Sequence, residues 1–98
     1  MINPAQISGL GSYTTETQES PDAKPRTLFK KGDKVFLVQN QHTIELRCDQ
    51  KLSHLLQEKY ESVMQSRYFG QGGLEIVPSN QLSTSELEDL IRLSYDLS

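Results

Sequence analysis

One stretch of this 98-residue chain carries residue types that could hold a phosphate. Residues 66–79 read SRYFGQGGLEIVPS, with Arg67, Tyr68 and Phe69 directly before Gly70, Gly72 and Gly73. An arginine can grip a phosphate, and an aromatic ring can stack on a base. A glycine-rich loop cradles phosphate when its N–H groups converge and a helix N-terminus follows. Here GQGG runs into LEIV, a strand pattern, no lysine sits in the loop, and no helix signal appears before Ser83. The favoured reading is a hairpin entry that needs positive φ at Gly70, Gly72 or Gly73. In it the two aromatics close the core edge and Arg67 pairs with a carboxylate. The loop remains the best exposed candidate for ligand contacts.

A second chemical signal is charge. Lys24, Arg26, Lys30, Lys31 and Lys34 face only Asp33, a net of +4 over eleven residues, whereas residues 81–98 carry a net of −3. The basic run could hold phosphates, or it could solubilise and protect an edge strand. The other reactive residue types do not combine. His42 falls in a turn and His54 on a helix flank, too few donors for a metal site. Cys48 alternates in phase with Ile44 and Leu46, as an inert core thiol does. Glu86, Glu88 and Asp89 crowd a helix start, where the macrodipole favours them. No catalytic constellation emerges, so the chain is expected to be non-enzymatic, with no cofactor and no metal.

The elements that must position these residues are legible in part. Residues 1–25 are rich in Ser, Thr, Gly, Gln and Pro and show no period, so they are expected to form a flexible or loosely docked extension. A folded unit is expected over residues 26–98. A short strand is expected near 27–30, followed by a turn at Gly32. Residues 34–39 contain VFLV and read as a buried strand. Residues 43–48 alternate, with Ile44, Leu46 and Cys48 inward and Thr43, Glu45 and Arg47 in water. Asp49 is a candidate N-cap, and Leu52, Leu55, Leu56 and Tyr60 give a helix over about 50–60. Val63 and Met64 are expected to pack below its end, and 65–73 to be irregular. A strand is expected over 74–77, stopped by Pro78. Ser83 and Glu86 fit a capping box for a helix over about 84–97, with Leu87, Leu90, Ile91 and Tyr95 inward and Leu93 and Leu97 widening the stripe. This order predicts an α+β fold, an antiparallel sheet covered on one face by helices.

Size and composition bound the function. A chain this short suggests one domain that buries about 60–65% of its unfolded surface, which leaves room for a shallow site. Its net charge of −3 and pI near 5.3 argue against broad, sequence-independent nucleic-acid binding but not against a local basic patch. The lone cysteine excludes an internal disulfide and fits a reducing, cytoplasmic setting. Neither a secretory signal nor an apolar membrane span is visible.

The pieces GDKVFLV, IELRCDQKLSHLLQEKYESVMQSRYF and LSTSELEDLIRLSYDLS together resemble the MmcQ/YjbR family of small bacterial proteins over about residues 26–98. The matching positions include Gly32, Lys34, Phe36, Leu46, Cys48, Leu55, Leu56, Tyr60, Arg67, Leu87, Ile91, Ser94 and Tyr95. The resemblance implies a CyaY-like two-layer sandwich and DNA binding through a double wing of sheet hairpins. The N-terminal domain of TfoX-type competence regulators is similar as well. Many family members carry a lysine and a tryptophan where this chain has Phe69–Leu74. Members also begin with an amphipathic helix, which residues 1–25 do not show. An uncovered sheet edge or core flank is therefore expected to meet another protein surface, such as a second copy of the chain. The leading expectation is a DNA-associated regulatory protein in which Lys30, Lys31, Lys34 and Arg67 contact phosphates and Tyr68 stacks. The alternative is a protein-interaction module, such as a homodimer, that binds no nucleic acid.

Overall fold

A computed structural model of the chain describes residues 7–78 and 81–98. Strands β1 (Thr14–Ser20), β2 (Ala23–Lys31), β3 (Lys34–Gln39) and β4 (Ile44–Arg47) precede helix α1 (Gln50–Lys59). Strands β5 (Val63–Ser66) and β6 (Gly70–Ile76) and helix α2 (Thr84–Leu97) complete the chain. All pairings are antiparallel, in the order β1-β2-β3-β4-β6-β5. This is the α+β arrangement expected, with both helices on one sheet face.

The register sorts residues into two faces. One row crosses all six strands: Glu16, Leu28, Val38, Glu45, Glu75 and Met64. Its neighbour carries Phe29, Leu37, Leu46 and Leu74. That second row packs with Phe36, Ile44, Ile76, Leu87, Ile91 and Tyr95 into the main core beneath the helices. Phe36 and Leu37 both join this core because the β2–β3 register slips between Phe29 and Lys30. A bulge places two successive residues against one partner. Phe36 is fully buried and meets Tyr95 edge to face at 5.0 Å. Burying such a ring contributes about 2–3 kcal/mol.

The helices begin where side chains satisfy their orphan N–H groups. Asp49 Oδ1 accepts from Leu52 N at 2.8 Å, and Ser83 and Glu86 form the full capping box. Ser94 Oγ donates to the Phe36 carbonyl and accepts from Arg47 N, which fixes α2 across β3 and β4. Leu97 is 52% exposed and does not extend the buried stripe as expected.

The extension expected over residues 1–25 takes a different form where it is described; residues 1–6 lie outside the described residues. Residues 7–13 form a strap over α2. Ile7 is buried, and Leu10 and Tyr13 pack against the core. Arg92 Nε donates to the Ser8 carbonyl at 2.7 Å, and Tyr95 Oη donates to the Ser12 carbonyl at 2.9 Å. Beyond the strap, β1 and β2 form a hairpin that takes in Pro25. The missing N–H of Pro25 is accommodated where the β1–β2 register slips between Gln18 and Ser20.

Two further expectations are corrected. Residues 65–73, expected to be irregular, hold the end of β5 and the start of β6, joined by Arg67-Tyr68-Phe69. Gly70 stands at φ 68°, and the register slips beside it between Gln65 and Ser66. The three-residue loop closes on this left-handed glycine, and residues 71–73 bulge out of the pairing with β5, because Gln65 faces Leu74 and Ser66 faces Gly70. Val63 is buried as expected, but Met64 points from the helix-free face and is 42% exposed. Residues 79 and 80, in the expected loop before α2, lie outside the described residues.

Candidate functional site

The helix-free face is closed at its centre and open at one end. At the centre Leu28, Val35 and Val38 form a small second core, and Phe69 folds down onto it from the β5–β6 turn. Arg47 lies over the Phe69 ring at 4.8 Å while its Nε donates to the Val35 carbonyl. Tyr68 packs edge-on against Phe69 and receives Arg26 over its own ring at 5.2 Å. Phe69 thus closes a core edge, as the hairpin reading requires, whereas Tyr68 stays 37% exposed.

The loop is locked by two buried carboxylates on adjacent strands. Glu45 and Glu75 are cross-strand partners, 1% and 3% exposed. Glu45 was expected in water. It is buried because the loop covers it, and it accepts from Ser66 Oγ at 2.8 Å, Tyr68 N at 2.9 Å and Asn40 Nδ2 at 2.8 Å. Glu75 takes the Arg67 fork, Nε at 3.0 Å and Nη2 at 2.8 Å, plus the Thr43 hydroxyl at 2.8 Å. Burial pushes the Glu75 carboxyl up, but the Arg67 guanidinium and the Thr43 hydroxyl outweigh it and hold the group below its usual value. Ser66 Oγ also accepts from Phe69 N, so its position is fixed by the turn.

Beside this lock lies an open cleft of about 710 Å³. Three turns build it: the far end of the β1–β2 hairpin (Gln18, Glu19, Lys24, Arg26), the β3–β4 turn (Asn40, His42, Thr43) and Arg67, with Glu45 at its floor. Lys24, Glu19, His42 and Arg67 are exposed and Arg26 half-buried. The Arg67 side chain is 76% exposed although its fork holds Glu75, so its outer edge faces water. The mouth therefore sets Lys24, Arg26 and Arg67 beside the exposed Glu19, with the Glu45 carboxylate and the Arg67-paired Glu75 carboxylate buried beneath them.

The five residues singled out from sequence divide between two places. Lys30, Arg67 and Tyr68 share the helix-free face. Lys30 binds Glu16 at 2.6 Å, and that hydrogen bond and charge raise its pKa. Arg67 binds Glu75 as described. Lys31 alternates to the other side, where its Nζ donates to the Tyr95 carbonyl at 3.2 Å and lies over the Tyr95 ring at 4.6 Å. It serves the C-terminal end of α2, where carbonyls attract a cation. Lys34 is its cross-strand partner and is exposed. Lys24 and Arg26 belong to the basic run but were not among the expected contact residues, and neither were Asn40 and Glu45. Arg26 had a signal in the basic run. Glu75 had one as well, an acid inside the apolar run LEIV near an arginine.

Cys48 is buried, and burial, with Asp49 adding to it, pushes its thiol up to about 11. Among the described residues no three His, Cys, Asp or Glu side chains gather in a metal-holding group, and no helix is long and apolar enough to cross a membrane. Compared with family models, curated proteins and solved structures, the chain matches none.

Proposed function

We propose that this chain is a small, non-enzymatic, cytoplasmic bacterial protein of MmcQ/YjbR type that binds DNA and acts in regulation. The observation that supports this reading is the cleft mouth. Lys24 and Arg26 from the β1–β2 hairpin and Arg67 from the β5–β6 turn converge there, with Glu19 exposed beside them and Glu45 beneath. Such a cluster on an acidic protein favours local phosphate contact over diffuse attraction. The hairpin ends that flank it are the parts of the fold able to straddle a phosphate backbone. Lys31 and Lys34 at the opposite end are a second, weaker grip, because Lys31 already serves α2.

Fluorescence anisotropy with a short labelled duplex tests this. Binding is expected at low salt, with log Kd rising against log salt at a slope of about 3 for three phosphate contacts. Lys24→Glu with Arg26→Glu should abolish most of it, while Lys31→Glu with Lys34→Glu should reduce it less. No binding at low salt removes the DNA reading and leaves a protein-interaction module in its place.

A further inference from the structure

Among the described residues β1 ends the sheet and has no neighbour beyond β2. The side chains of Thr14–Glu19 are all exposed, so burial does little to hold this strand. Its order rests on one ladder to β2, the Glu16–Lys30 ion pair and the Arg26–Gln18 hydrogen bond. An isolated hairpin is marginal in water. Natural edges are usually guarded by lysine, proline or an inward charge. The sequence TTETQES has neither lysine nor proline; its guards are Glu16, which Lys30 pairs, Glu19 and the register slip after Gln18, and its three β-branched threonines favour the strand.

We propose that β1 pairs antiparallel with β1 of a second copy, about a two-fold axis perpendicular to the sheet, and joins the two sheets into one. The strand's own sequence selects the register. A perpendicular two-fold keeps both helix layers on the same side, and residues directly opposite each other in an antiparallel pair point to the same face. The axis must therefore pass through a residue and not between two. Centring on Glu16 opposes two glutamates. Centring on Gln18 or Thr15 leaves part of the strand unpaired. Centring on Thr17 pairs all seven residues, with Glu16 opposite Gln18 and Thr15 opposite Glu19 of the other copy, and no like charges meet. The interface is isologous, so every such pair occurs twice. The two clefts, whose walls include Gln18 and Glu19, then lie on one face on either side of the axis. No cation of the cleft mouth takes part in the pairing, so self-association does not depend on the DNA reading.

Sedimentation equilibrium of the full chain, from about 20 μM to about 2 mM, tests the pairing, because an edge contact buries less than a standard interface and is weak. The expected result is a shift from the 11.1 kDa monomer towards twice that mass. Substitutions at the exposed Thr15 read the register. Thr15→Lys sets two Lys–Glu19 pairs across the axis and should tighten the dimer roughly two- to thirty-fold, while Thr15→Glu should loosen it by a similar factor. Unchanged far-UV circular dichroism verifies that both variants fold. A single monomer mass throughout the range overturns the proposal. So does a dimer that the two substitutions leave unmoved or shift in the same direction. Loss of DNA binding with these shifts intact would count against the proposed function alone.

Discussion

Arg67→Ala removes the charged donor that keeps the buried Glu75 carboxylate ionised. Both fork bonds are lost, leaving only the Thr43 hydroxyl on a side chain that is 4% exposed. Breaking a fully buried pair costs about 3–5 kcal/mol. Here the Arg67 side chain is 76% exposed, so water screens the pair and can enter the vacated space. The appropriate scale is that of an acceptor left short of partners, and a loss of about 2 kcal/mol is expected. For a domain of this size that lowers Tm by about 8–16 °C. Urea unfolding at pH 7, followed by circular dichroism, measures it.

The pH dependence separates this mechanism from lost packing. In the wild-type protein Glu75 sits below its usual value of 4.5, so its contribution is complete above that value and is lost as pH falls through the lower folded value. In the variant, burial acts with the Arg67 fork gone and raises the folded value above the unfolded one. The penalty is then largest at neutral pH and is relieved on acidification. The stability gap between wild type and variant should therefore narrow as pH falls from 7 towards 4. The double variant Arg67→Ala/Glu75→Gln should lose less stability at pH 7 than Arg67→Ala alone. A gap that stays constant with pH, or a loss below about 0.5 kcal/mol, the usual range of surface substitutions, would refute the reasoning.

Cys48 is buried with its thiol pushed up to about 11. It should react with a disulfide reagent far more slowly in the native protein than in denaturant, and equal rates would contradict its burial. The glycines of the β5–β6 hairpin separate conformational strain from crowding. Gly70 stands at φ 68° with nothing within 4 Å of an added Cβ, so Gly70→Ala should cost about 1–2 kcal/mol and Gly70→Asn less. At Gly73 an added Cβ would lie 2.5 Å from Phe69 Cβ and 2.8 Å from the Leu46 carbonyl oxygen. Gly73→Ala should therefore cost about 3 kcal/mol by overpacking, and a smaller urea-midpoint shift than that of Gly70→Ala would show that the close approach is not real.

What could be read in advance follows which elements stabilise themselves and which depend on neighbours distant in sequence. The helix Thr84–Leu97 carries its own start signal in Ser83 and Glu86 and its own apolar stripe, and VFLV and IELRC announce strands by composition and alternation. β1 carries neither signal, since its described side chains are exposed. It is a strand because β2 offers it a ladder, and Pro25, a breaker by local rules, lies where the β1–β2 register slips. β5 is equally silent, because the two apolar residues of VMQS point to opposite faces, Val63 into the core and Met64 outward. The pairing of Arg67 with a carboxylate could be anticipated, but its partner could not, because Glu75 reaches it only through the bulge after Gly70. Likewise Glu45 alternates like a solvent-facing residue and becomes buried only once the Arg67-Tyr68-Phe69 loop folds over it. The cleft compounds the difficulty, since it draws on residues 18–26, 40–45 and 67, and no local motif contains more than one of those segments. Cross-strand register is thus the information that a local reading lacks. A change that removed the slip between Phe29 and Lys30 would move Phe36 off the α2 core and leave Ser94 without its carbonyl acceptor.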